Sequence, residues 1–370
     1  MRRSTSGQKG RRGTRLVELF IQTFVLSIIA YSLHITSFEI ACKWLIIYHG
    51  RKLIGGLYLI AVVFLISLLG IVYTSLLMGR ETHNTPRYRL PEKDDLTEPY
   101  ECANLDGDLA TCLKCSGAWK PPRSHHCSTC GVCRMDFDHH CPWVGNCVTR
   151  PRMKTFLSML FLAPVACSVS LIPVYHILTR HMSLALRISQ QNAWANQVWW
   201  NWYGSWIFFG GPFGRWIFGM ALGFRILKAE RRADLPLIEQ PNLRLFAISA
   251  FGLLLSLFTL ALGLWTIRDI LRGMTTLDAI RSTRYPRYVY IPRNLSGDSA
   301  ESVSSGNNVA AVLPGERLYD LGYRANLRDI FAGPTTINAM YVWPKLNPTV
   351  LDRMRKTMGN ISTASTGAAI

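Results

Sequence analysis

The sequence predicts an all-α polytopic membrane protein with four transmembrane helices and a small cysteine-rich domain between spans 2 and 3. Three observations carry that reading. Of the 370 residues, 49% are apolar and only 17% charged. Four segments run long enough without charge to cross a hydrocarbon core about 30 Å thick, which takes about 20 apolar helical residues. Finally, seven of the ten cysteines and four of the nine histidines fall between Cys112 and Cys147.

The expected spans are residues 19–36, 54–78, 156–178 and 245–267. A basic head (Arg2, Arg3, Lys9, Arg11, Arg12, Arg15) precedes the first, with no acidic residue before Glu18, so the positive-inside bias puts the N-terminus in the cytosol. A cleaved signal peptide is the competing reading. The apolar run is too long for one, and no small-residue cleavage site follows it. The order of spans then gives a basic N-terminus with spans 1 and 2 (1–78) and a cytosolic cysteine-rich domain (79–155, core 112–147). Spans 3 and 4 with a long extracytoplasmic or interfacial loop (156–267) and a cytosolic C-terminal region (268–370) follow.

Two stretches complete the organisation. An aromatic, glycine-rich run at 206–224, broken by Arg215, could be a fifth span, but its crowding with Trp and Tyr favours a re-entrant or interfacial position. The tail holds a Ser/Gly/Asn-rich linker at 294–308, a compact stretch at 313–343 and a final Ser/Thr/Ala/Gly run expected to lack structure. The formal net charge of +18 is scattered over head, loops and tail rather than along one stripe. That distribution suits attraction to and orientation in the lipid bilayer, and not nucleic-acid binding.

The dense cysteines have to be explained by disulfides or by metal. A cytosolic loop sits in a reducing compartment, and CxxC pairs with interspersed histidines have the spacing of tetrahedral zinc sites, so metal is expected. Two Cys3His sites consume six of the seven cysteines and leave one thiol. A loop with so few apolar side chains would draw its folding free energy from the metal. Spacing alone leaves any of the seven as the spare. Local chemistry points at Cys141, which directly follows Asp138, His139 and His140. A reactive thiol needs an adjacent base held in the right tautomer by a third group, and His139 and Asp138 fit those roles.

The run Asp138-His139-His140-Cys141-Pro142-Trp143, ending at Asn146-Cys147 and preceded by CxxC and KPPRSHHCxxCxxC, resembles the DHHC family of protein palmitoyltransferases. Thr275-Thr276-Leu277-Asp278 resembles that family's TTxE element, and Tyr319 to Phe331, with Asn326, its C-terminal Asn-containing motif. The pattern departs in four places: Asp278 stands for Glu, the spacing from Cys115 to Lys120-Pro121 is one residue longer, Thr149 and Arg152 replace Gly and Asn, and no Asp-Pro-Gly follows span 2.

The resemblance implies one structural zinc on Cys112, Cys115, His126 and Cys133 and a second on Cys127, Cys130, His140 and Cys147. It implies Cys141 as nucleophile with His139 and Asp138, acyl-CoA (palmitoyl-CoA) as donor, Trp143 near the acyl chain, and Thr275, Thr276, Asp278 and Asn326 as structural anchors. Partners would be membrane-associated client proteins with cytosolic cysteines, and the location an endomembrane or the plasma membrane. Arg150, Arg152 and Lys154 are candidates to attract CoA phosphates. Two other classes are weaker on the residues themselves. A RING-like adaptor expects a further downstream CxxC pair, and a transporter expects ionisable residues within the spans.

Overall fold

The computed structural model describes residues 5–79, 88–207, 211–230, 235–281, 286–292, 308–332 and 341–367. The expected linker at 294–308, except Asn308, lies outside the described residues. Helix α1 (Thr5–His34) runs on as a π-helix over Ile35–Tyr48, and α2 (Lys52–Met78) follows after a short turn. Seven short strands come next: β1 (Tyr100–Cys102), β2 (Thr111–Cys112), β3 (Ala118–Trp119), β4 (His125–Cys127), β5 (Val132–Arg134), β6 (Phe137–Cys141) and β7 (Asn146–Thr149). Helices α3 (Met153–Leu171), α4 (Tyr175–Gln191), α5 (Ala193–Ala195), α6 (Pro212–Leu227) and α7 (Leu243–Leu271) lead to α8 (Thr276–Arg281). Strands β8 (Tyr288–Tyr290) and β9 (Val309–Ala311) and helices α9 (Tyr323–Ala332) and α10 (Pro348–Gly367) end the chain.

Four helical stretches among the described residues are long and apolar enough to cross a membrane: Gly13–Tyr48, Lys52–Met78, Arg150–Leu171 and Leu243–Leu271. The cysteine-rich segment lies between the second and the third. The fold is therefore the mostly helical four-span architecture that the hydropathy predicts, with local differences.

The first helix does not stop near residue 36. Ile40, Trp44 and Leu45 bury against Val174, Ile238 and Leu245, and Lys43 pairs with Glu39 one turn earlier at 2.9 Å. Apolar burial and a neutralised lysine keep the helix going where charge alone suggested a loop. The third apolar helix ends at Leu171 rather than 178, because Pro173 has no N–H to give and disfavours helical geometry in the residue before it. The aromatic run at 206–224 yields a short turn at Tyr203–Trp206 and the 16-residue α6, which is too short to span. The C-terminal Ser/Thr/Ala/Gly run is also more ordered than its composition predicts. Helix α10 extends through Gly367, started by Val350 and Met354, which are buried against Val289, Ile291 and Leu318.

The chain divides into two compact units. One comprises Met1–Gln22, Thr74–Ser158 and Gly263–Ile370; the other comprises Thr23–Tyr73 and Met159–Leu262. Among the described residues the first holds all the strands. Its sheet has the order β1-β8-β9, antiparallel throughout, so a strand preceding the cysteine-rich core pairs with β8 of the tail, which pairs in turn with β9. Three separate antiparallel pairs, β2-β3, β4-β5 and β6-β7, carry the cysteines and histidines.

Candidate active site and metal-ligand clusters

Strand alternation sorts the DHHC residues by role. Successive side chains on a strand point to opposite faces, so on β6 His139 and Cys141 share one face and His140 the other. Asp138 sits at a register shift between Phe137 and His139 in the β6-β7 pair. A bulge of this kind re-aims a side chain, and here Asp138 Oδ2 comes within 2.7 Å of His139 Nδ1, although neighbours on a regular strand would diverge.

The β6-β7 hairpin turns through Pro142, Trp143, Val144 and Gly145, where the N–H groups of Val144 and Gly145 both donate to the Cys141 carbonyl at 3.2 and 2.8 Å. Gly145 suits this turn through its backbone, and the Gln22 side chain would have to move aside for any larger residue. Its φ is +61°, and a Cβ there would meet Gln22 Nε2 at 1.8 Å. Cys141 is buried, and Trp143 beside it is 38% exposed.

The thiol's neighbours are fixed from several sides. His139 packs edge-on against the buried Phe156 at 5.3 Å. Burial opposes a charge on that imidazole. Hydrogen bonds to the Asp138 carboxylate and the Cys141 sulphur outweigh the burial and raise the His139 pKa to about 9. With Nδ1 committed to Asp138, Nε2 is the nitrogen left for the thiol. Asp138 also accepts from Thr276, whose N–H reaches Oδ1 at 2.9 Å and whose hydroxyl reaches Oδ2 at 2.8 Å.

The TTLD element is a capping box. Thr275 precedes α8, and its hydroxyl accepts from the Asp278 N–H at 3.0 Å while Asp278 Oδ2 accepts from the Thr275 N–H at 3.2 Å. The same carboxylate takes two hydrogen bonds from Arg123, from Nε at 3.3 Å and Nη2 at 3.0 Å, and lies 3.6 Å from Arg287. Arg287 in turn bonds Glu101 at 2.9 and 3.1 Å. Both guanidiniums lie over the Tyr319 ring, at 4.6 and 5.3 Å. Asn326 closes the other side: its amide N–H donates to the carbonyl of Leu271, the last residue of α7, at 3.0 Å and to Asp320 at 2.8 Å.

Six further cysteines and two histidines form two four-residue groups, Cys112, Cys115, His126, Cys133 and Cys127, Cys130, His140, Cys147, each with its ligand atoms within 4.8 Å of one another. His126 Nδ1 lies 3.3 to 3.7 Å from its three sulphurs, and His140 Nδ1 3.5 to 3.7 Å from its own. Ligands at about 2.0 to 2.3 Å from a tetrahedral zinc stand roughly 3.5 to 3.8 Å apart, so the donors suit that ion. These clusters could hold metal ions. The cysteines are free rather than bridged.

His140 Nε2 donates to Glu18 Oε1 at 3.0 Å, and Glu18 is buried in α1. Sequence reasoning did not single out Glu18, Arg123, Arg287 or Glu101. Glu18 left one signal, as the first acid in the chain, set at the edge of an apolar run. The cations offered above for CoA phosphates are already engaged. Arg152 donates to the carbonyls of Leu76 and Cys147, Arg150 to the Asp329 carbonyl and carboxylate, and Lys154 to the Phe331 carbonyl. Arg152 and Asn146, which donates to the Gly79 carbonyl at 2.9 Å, instead tie β7 to the end of α2.

Residues 106–283 match the family model described as DHHC palmitoyltransferase. The chain carries a DHHC palmitoyltransferase domain. Among curated proteins, it is 51% identical over 67 residues to Probable protein S-acyltransferase 13 of Arabidopsis thaliana, covering 17% of this chain and 22% of that one. It is 36% identical over 96 residues to Palmitoyltransferase ERF2 of Eremothecium gossypii, covering 25% and 26%. To Palmitoyltransferase akr1 of Schizosaccharomyces pombe it is 47% identical over 75 residues, covering 19% and 11%. The chain thus spans about a quarter or less of the length of these relatives. The DHHC domain contains both clusters, Cys141 and the capping box; Glu18, Arg287 and Asn326 lie outside the matched stretch.

Proposed function

We propose that this chain is an integral membrane protein S-acyltransferase that moves a long-chain acyl group from acyl-CoA to cysteine thiols of client proteins through Cys141. The observation that carries the reading is the ordered trio on one strand. Asp138 holds His139 Nδ1 at 2.7 Å, and the strand turns the other imidazole nitrogen and the Cys141 sulphur to the same face. A free thiol titrates near about 8.5 and is only a few per cent ionised at neutral pH, so a base at hand governs its reactivity.

In the first step His139 Nε2 accepts the Cys141 proton and the thiolate attacks the thioester carbonyl. The carbon–sulphur bond to CoA breaks, and the CoA sulphur leaves with the proton held on His139. In the second, a client thiol gives its proton to His139 and attacks the acyl-enzyme; Cys141 departs as the leaving sulphur and recovers the proton. One thioester replaces another at each step, so little driving force is needed, and the kinetics are ping-pong.

Cys112, Cys115, His126 and Cys133 hold one zinc and Cys127, Cys130, His140 and Cys147 the other, closed sites that supply folding free energy and rigidity rather than an activated water. Because the nucleophile lies between ligands His140 and Cys147, the second site fixes both ends of its hairpin. Residues 79–155 and both termini face the cytosol, where acyl-CoA and clients are found. Trp143, half-exposed at the turn, lies against the acyl chain. The protein resides in an endomembrane or the plasma membrane.

The test is incubation of the purified chain with labelled palmitoyl-CoA, followed by neutral hydroxylamine. Wild type takes up hydroxylamine-labile label and Cys141→Ser does not, while both bind about two zinc ions per chain. Zinc without label in the wild type would leave only a metal-bearing membrane anchor.

A further inference from the structure

The segment joining α3 to α7 folds into a helical hairpin with one wet face and one apolar end. Helix α4 packs against α6 so closely that a Cβ on Gly223 would meet the Ala185 carbonyl oxygen at 1.8 Å. Its other face exposes Arg180, Ser183 and Arg187. The turn beyond and the start of α6 expose Tyr203, Trp206, Ile207, Phe213, Trp216 and Ile217, with Tyr203 at 89% and Phe213 at 76%. So many large apolar side chains exposed within one short segment are unusual on a face bathed in water.

What covers this end can be argued from chemistry and tethering. Both ends of the hairpin run into helices able to cross a membrane, and Phe246, in the first turn of α7, stacks on Phe224 of α6 at 5.5 Å. The hairpin is thereby held at the mouth of a membrane-crossing helix, while α6, 16 residues and so about 24 Å long, cannot itself cross. Trp and Tyr concentrate at the headgroup level of bilayers. Arg215 lies over the rings of Trp206 and Trp200 at 4.1 and 5.3 Å, an arrangement that lets an apolar stem sink while its charge stays near phosphate.

Charge selects between occupants. No aspartate or glutamate occurs between Asp138 and Glu230, whereas Arg215, Arg225 and Lys228 lie on α6 or just after it. A second copy would set like charges against like, but lipid phosphates complement them. We propose that the hairpin is a monotopic membrane element, with its aromatic end sunk in the headgroup and upper acyl layer of a bilayer and the arginine face of α4 in water. This anchor is independent of the acyl-transfer chemistry and would hold the segment between spans 3 and 4 flat on its leaflet.

The experiment uses the full chain in phosphatidylcholine nanodiscs carrying a phosphatidylcholine with a diazirine on its acyl chain. After photolysis, peptides are mapped by mass spectrometry. Peptides spanning 202–218 are expected to carry lipid within about threefold of those from Leu243–Leu271, and the α4 peptide about fivefold less or lower. Combining Tyr203→Ser, Phe213→Ser and Trp216→Ser, all exposed positions, should cut labelling at 202–218 several-fold and leave labelling of α7 unchanged. Unlabelled 202–218 beside labelled α7 in wild type overturns the proposal. So would photocross-links from 202–218 to a second chain in place of lipid.

Discussion

Thr276 grips Asp138 at both carboxylate oxygens, with its backbone N–H on Oδ1 and its hydroxyl on Oδ2. Because Thr276 opens α8, that N–H is one of the amides a helix start leaves without an internal partner, and a carboxylate is favoured there. The element from the tail thus acts on the thiol at second hand, by setting the group that sets His139. Thr276→Val keeps the shape and the N–H but removes the hydroxyl. Hydrogen bonds to charged groups are worth roughly 1.5 to 3 kcal/mol, so single-turnover labelling of Cys141 should slow by about tenfold or more, with zinc content unchanged. Unaltered labelling would mean that Asp138 does not need this clamp.

The sequence displayed the spans, the clustered cysteines and the Asp-His-His-Cys run because each depends on residue type at short spacing. Long-range partners were hidden. Nothing in the linear order shows that Glu18 meets His140, 122 residues away, or that Arg123 finds Asp278, 155 away. The helices of spans 1 and 3 end elsewhere than the apolar runs suggest, for a related reason. Burial of Trp44 among distant residues extended one helix, and Pro173 cut the other against a run of apolar residues. The bulge that brings Asp138 to His139 is equally invisible, since it depends on how β6 pairs with β7.

Glu18 gives the second prediction. A ligating histidine ordinarily passes its other N–H to a carboxylate or carbonyl, and loss of such a partner costs about 10- to 100-fold in metal affinity. If the clusters hold zinc as proposed, Glu18→Ala should therefore hasten metal release to a chelator from the cluster containing His140 by about that factor, and leave the cluster containing His126 untouched. Glu18→Gln, which still accepts the His140 N–H, should fall between. Equal release rates in all three proteins would show the contact to be incidental.

Asp278 should govern stability with a definite sign. Its burial favours the neutral acid, but Arg123, Arg287 and the Thr275 N–H hold the carboxyl below the usual carboxylate range. A lowered pKa in the folded state stabilises the fold fully above the unfolded value, about 3.9, and the gain disappears as the pH falls through the folded value. Asp278→Asn strands Arg123 in a buried site, at a cost of about 3 to 5 kcal/mol. In thermal unfolding followed by fluorescence, the gap between wild type and Asn should stay constant above about pH 5 and narrow toward pH 4. A gap that narrows instead as the pH rises would contradict the ion-pair account.

Asn326 is the last anchor, and its chemistry is stricter than its size suggests. One side-chain amide caps the Leu271 carbonyl at the end of α7 and reaches Asp320, while its oxygen accepts the Leu321 N–H at 3.0 Å. Asn326→Ala leaves the part-buried Leu271 carbonyl and Leu321 N–H without these partners, each costing up to about 1 to 3 kcal/mol. The variant should release the tail locally before the spans unfold, so limited proteolysis should cut between α7 and α9 faster than in wild type. Asn326→Asp is the informative control: it retains the acceptor for Leu321 but loses the donor to Leu271 and sets a second carboxylate against Asp320. It should therefore be at least as labile as the alanine variant despite being nearly isosteric, and wild-type resistance in the aspartate protein would remove the Leu271 cap from the argument.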